Sequence, residues 1–196
     1  MFIKASKFEK LIKEAYKDGR LHIGKEDEKF MESGAGWSLS MVEDLMPKEM
    51  RAAVIKYVGW MPENGDYYLA LPDGDQQEVP GAFVGVEDTR KLKYAEMTRL
   101  AYRDGKELFY IGQSVNEDRA FAVRADLIDM IDETEIDIKD GETKIVGPFI
   151  DFPGNQIIVE NGRMQLRLFL LRPKEAEAEL LDFLGERDLN SFGKET

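Results

Sequence analysis

"KFEKLIKEAYKDG" at residues 7–19 and "KYAEMTRLAYRDG" at residues 93–105 carry the same Lys, Ala, Tyr, Asp and Gly at matching places. Four more pairs are conservative: Phe8/Tyr94, Leu11/Met97, Lys13/Arg99 and Lys17/Arg103. The first copy reads as a helix. Phe8, Leu11, Ile12 and Ala15 recur at i, i+3, i+4 and i+7 and form one apolar face. Ser6 with Glu9 fits a capping box, in which each side chain satisfies a backbone N–H at the helix start. Gly19 stands where a left-handed residue ends a helix. The match predicts a second helix over the second copy, N-capped by Asp88 or Thr89 and stopped by Gly105. Allowing two extra residues, "LHIG" at 21–24 then meets "FYIG" at 109–112. Helix, glycine and strand thus recur in order. An internal duplication is expected, with a first α+β repeat over 1–90 and a second over 91–196 that carries a C-terminal helix, the two fused into one compact pseudo-twofold unit.

Working outward, the rest of the chain is rich in strand signals. "LFYIGQS" and "RAFAVRADL" flank a turn at Val115-Asn116-Glu117-Asp118. "IDIKDGETKIV" alternates around Asp140-Gly141, and "NQIIVENGRMQLRLFLL" pivots on Asn161-Gly162. Asp-Gly and Asn-Gly supply the positive φ angles of tight hairpins. Met164, Leu166, Leu168 and Leu170 share one face of the last strand. "DYYLALP" and "GAFVGVE" read as strands joined by the loop "DGDQQEVP". Two more helices are expected. One follows Pro47, with Met50, Val54, Tyr57 and Val58 at helical spacing; the other is "KEAEAELLDFLGERDL", with Leu180, Leu181 and Leu184 on its apolar side. The tail "NSFGKET" reads as frayed. The fold class is therefore α+β, with antiparallel hairpins and a few packed helices.

Composition narrows the chemistry. The 196 residues carry 39 acids against 27 Lys and Arg, a net charge of −12. That field repels polyanions, so neither direct nucleic-acid binding nor an anionic membrane surface is expected. The absence of cysteine excludes disulfides, thiolate zinc sites and a cysteine nucleophile. A single histidine, His22, excludes any mechanism that needs two imidazoles. It aligns with Tyr110 in the second copy, which suits a half-exposed packing position. No signal-peptide core or membrane-length apolar run is present, so a cytoplasmic protein is expected, of bacterial style in its Lys and Glu usage.

No phosphate loop or nucleophile elbow appears, and no cofactor is implied; "SGAGW" at 33–37 lacks the lysine and glycine spacing of nucleotide folds. Carboxylates are the abundant reactive groups. Asp73, Asp75 and Glu78 in "PDGDQQE" have the close spacing that holds Ca²⁺ or Mg²⁺ through oxygen. "DLIDMIDETEIDIKDGE" at 126–142 has eight acids and one lysine. On a helix, Asp126, Asp129, Asp132 and Glu133 would form one negative stripe, suited to a basic partner. Trp37 and Trp60 are aromatics of a kind found both in cores and in sugar or peptide sites. These features favour a non-enzymatic interaction protein (inhibitor, immunity or regulatory factor) that meets a basic protein surface, its oligomeric state left open. A DNA-mimicking inhibitor and a hydrolase using carboxylates with a divalent cation are the alternatives; no catalytic residue is singled out.

Overall fold

The computed structural model describes residues 2–79, 88–115, 117–132 and 146–189. Among them are four helices and an eleven-stranded antiparallel sheet, an α+β fold as the hairpin signals imply. The chain divides into two compact units, Met1–Glu87 with Met130–Ile145 and Glu160–Arg167, and Asp88–Asp129 with Val146–Val159 and Leu168–Thr196. The division does not follow two consecutive halves.

The first unit opens with α1 (Ala5–Lys17), then β1 (Leu21–Glu26), β2 (Lys29–Gly34), β3 (Trp37–Val42), α2 (Lys48–Val58), β4 (Tyr67–Ala70) and β5 (Gln76–Glu78). Its strands lie in the order β5-β4-β1-β2-β3, and β11 (Met164–Phe169) follows β3. The apolar face of α1 is buried as its spacing requires, through Phe8, Leu11, Ile12 and Ala15. Phe8 meets Trp37 edge-on with ring centroids 6.2 Å apart, which makes Trp37 a core residue. Tyr16 and Tyr57, 5.9 Å apart, join α1 to α2.

The start of α1 differs from expectation. Lys4 occupies the N-cap without a side-chain cap, and Ser6 lies inside the first turn, so the capping box does not form. Tertiary pairing fixes the entry instead. Ile3 bridges Ile131, and the Lys4 N–H donates to the Met130 carbonyl at 2.9 Å. The helix end is as expected. Gly19 has φ 61°, its N–H donates to the Tyr16 carbonyl, and the Arg20 N–H reaches back to Ala15, the paired bonds of a Schellman stop. Residues 73–79, expected as a loop, form a hairpin: Gly74 turns at φ 86° and β5 pairs with β4.

In the second unit the strands run β8-β7-β6-β9-β10. These are β6 (Lys93–Asp104), β7 (Glu107–Ser114), β8 (Ala120–Arg124), β9 (Val146–Asp151) and β10 (Gln156–Asn161); α3 (Ala125–Ile128) follows β8, and α4 (Glu175–Gly185) comes last. Residues 93–104 are therefore a strand, where the match to α1 predicted a helix. Gly105 has φ 59°, but it turns a hairpin in which Asp104 faces Glu107. Asp88 does cap, through its carboxylate on the Arg90 N–H, yet what it caps is a single 3-10 turn at Thr89–Lys91. The β6–β7 register slips between Met97 and Ala101, and Thr98 fills the irregularity: its hydroxyl donates to the Ile111 carbonyl at 2.8 Å and accepts from the Leu100 N–H. The two stretches do not share a fold, and the structure does not show a duplication. The expected strand "GAFVGVE", residue Asn116 of the turn, most of the Asp140-Gly141 hairpin and the tail lie outside the described residues.

Candidate functional site: the solvent face of the last helix

The acids singled out in the sequence are placed as follows. α3 ends at Ile128, so no helix carries Asp126, Asp129 and Asp132 as one stripe. Asp126 is held by the guanidinium of Arg124, with Nε–Oδ1 3.1 Å and a second contact of 2.6 Å. Asp129 accepts a long 3.4 Å bond from the Tyr110 hydroxyl, and its charge raises the Tyr110 pKa. The Asp132 N–H donates to Phe2. Glu133 lies outside the described residues. Asp73 and Asp75 sit together in the β4–β5 turn, where the Asp75 N–H donates to Asp73 Oδ1; Glu78 is farther on, facing Tyr68 across the hairpin. Among the described residues no three Asp, Glu or His side chains gather in a way that could hold a metal ion.

His22 lies on β1, half-buried, and burial lowers its pKa. Trp60 packs edge-on against Tyr68 with centroids 5.0 Å apart. The most unusual acid is Glu32 on β2, which is fully buried between Ile23 and Leu39 in the strand register, neither carboxyl oxygen having a hydrogen-bond partner among the described residues. Burial pushes its carboxyl well above the usual carboxylate range. Burying such a group without a hydrogen bond costs stability. A shallow cleft of about 150 Å³ lies between β3 and the β10–β11 turn, with Lys29, Ser40, Glu160 and Arg163 in its wall. Gln165 links Glu160 to the buried Arg167 behind it. Its mixed charge favours no one ligand class.

The surface with the clearest chemical character is α4. Its inner side is fixed by Leu181, buried in a cluster with Phe109, Ile111, Ala122 and Leu189. The side chain of Gln113 fastens its end, donating to the carbonyls of Gly185 and Arg187 and accepting from the Leu189 N–H. A Cβ on Gly185 would lie 2.7 Å from the Asp118 carbonyl oxygen, so the glycine allows α4 to approach the backbone before β8. At its start, Glu177 reaches back to the Lys174 N–H, and Lys174 pairs with Asp104 at 2.7 Å. The helix is thus held at both ends.

With the inner side fixed, helical geometry dictates the outer one. Ala176, Leu180 and Phe183 follow at i, i+4 and i+7 and form an apolar lane; all three are exposed, Leu180 by 41% and Phe183 by 54%. Beside it, Glu175, Glu179, Asp182 and Glu186 form an acidic lane, also exposed throughout. Within α4 there are four carboxylates and no Lys or Arg. Arg187, just past the helix, lays its guanidinium over the Phe183 ring, 3.4 Å from the centroid. Leu180, expected on the apolar side with Leu181 and Leu184, lies instead on the outer side. The available signal was the angle between Leu181 and Phe183: two residues on a helix differ by about 200°, so both cannot face the core. No protein-family model matches the chain, and a search of curated proteins finds no match.

Proposed function

We propose that this chain is a non-enzymatic protein-interaction factor that engages a basic protein surface through its own acidic one. The observation that carries the reading is the outer side of α4, where an aromatic ring 54% exposed stands beside a row of carboxylates on a helix anchored at both ends. Large apolar side chains on a rigid acidic helix gain by burial against a partner, at about 25 cal/mol per Å² removed from water, and the adjacent charge sets which partner is accepted. The net charge of −12 adds long-range attraction to cationic proteins and speeds their encounter. Asp126, held by Arg124, adds to the negative field, whereas Asp129 lies off this face: its partner Tyr110 alternates on β7 with Phe109 and Ile111, which pack against α4.

The test compares affinity capture by the wild type with capture by a Glu175→Lys/Glu179→Lys/Asp182→Lys variant, from the same extract. All three side chains are exposed, so the fold is expected to persist, which circular dichroism checks. The reading expects basic proteins retained by the wild type and lost by the variant. Identical sets of captured proteins would contradict it.

A further inference from the structure

Resting on that reading, we infer that the occupant of the outer side of α4 is a cationic amphipathic helix of a partner protein, packed along the lane formed by Ala176, Leu180 and Phe183. The spacing argues for a helix. Apolar residues at i, i+4 and i+7 make the seam that helices use when they pack side by side, and charged residues flanking such a seam decide which helix is accepted. Here the flank is uniformly acidic: Glu175, Glu179, Asp182 and Glu186 run parallel to the seam. A complementary helix carries its own apolar seam with a Lys or Arg lane beside it. A second copy of this chain is disfavoured, because it would set two acidic lanes against each other.

The aromatic residue supports the same partner chemistry. The Phe183 ring already accepts a cation on its face, the Arg187 guanidinium. Ala176 is the small residue of the lane, and it permits the closest helix approach at the N-terminal end of α4.

The probe is a synthetic helical peptide of about three heptads with a leucine seam and lysine flanks. Oligolysine of equal charge serves as the comparison. Each is titrated into the isotope-labelled full chain while amide resonances are followed, with calorimetry for affinity. The inference expects saturable binding of the Leu/Lys helix with shifts concentrated at 175–187. It expects affinity to fall at least ~tenfold in Leu180→Ser/Phe183→Ser and, separately, in Glu179→Lys/Asp182→Lys, with oligolysine weaker by a similar factor. Equal binding of both peptides, with shifts elsewhere on the surface, would overturn the α4 seam and leave the acidic-surface reading standing. Absence of binding by either peptide would overturn both.

Discussion

Leu181 and Phe183 are two residues apart on α4 and face opposite ways: Leu181 is 7% exposed in the cluster with Phe109 and Ile111, and Phe183 is 54% exposed. Their substitutions should therefore separate stability from binding. Leu181→Ala removes a buried side chain and is expected to cost about 2–5 kcal/mol in urea unfolding. Phe183→Ser is expected to stay within about 0.5 kcal/mol of the wild type. Equal losses would mean that Phe183 is packed and not presented.

Glu32 and Glu43 should give opposite pH dependences. Burial raises the Glu32 pKa, so its proton is held more tightly in the folded chain than in the unfolded one. Stability from this group is fully present below its ordinary value of 4.5 and is lost as pH rises toward the raised value. The unfolding free energy of Glu32→Gln minus that of the wild type should therefore climb by about 1.4 kcal/mol per pH unit between the ordinary and the raised value, and level off above the raised one. A flat difference between pH 5 and 8 contradicts the buried, unpartnered carboxyl.

Glu43 titrates the other way. Its hydrogen bond from Lys25, reinforced by Arg51 at 3.0 Å, holds its pKa below the ordinary value despite partial burial. The stability it contributes is present above that value and lost as pH falls through the lowered one. Glu43→Gln should destabilise at pH 7, by up to about 1 kcal/mol, and by less at pH 3. Chemical denaturation at the two pH values checks this, and an equal loss at both points to shape rather than charge.

Glycine substitutions rank the tightness of β7. A Cβ on Gly112 would lie 2.2 Å from the buried Phe121 ring, whereas a Cβ on Gly105 would meet nothing within 4 Å among the described residues, and only its φ of 59° opposes a side chain there. Gly112→Ala should cost about 1–3 kcal/mol through overpacking. Gly105→Ala should cost about 1–2 kcal/mol through the backbone alone. Because the first cost depends on Phe121, Phe121→Leu should relieve Gly112→Ala and leave Gly105→Ala unchanged, measured as a double-mutant cycle.

How far the fold was legible follows from Gly19 and Gly105. Both hold the same left-handed backbone, φ 61° and 59°, and both follow Ala-Tyr-Lys/Arg-Asp. That need for a positive φ was readable. Which element comes before it was not, since Asp-Gly ends a helix in one place and turns a hairpin in the other. Residues 93–104 take the strand because β7 and β9 supply pairing partners, and tertiary pairing overrides a helical pattern. α1 was legible because its four apolar residues all face the core. Leu180 misled, being an apolar residue that the helix carries on its outer side.

Photocrosslinking tests the central claim most directly. A photoreactive p-benzoylphenylalanine is placed at position 183, and in a parallel chain at position 129, and each is irradiated in cells. The account predicts a covalent adduct with a basic protein from position 183, joined through a helical segment of that partner. Adducts formed from position 129 with none from position 183 would contradict it.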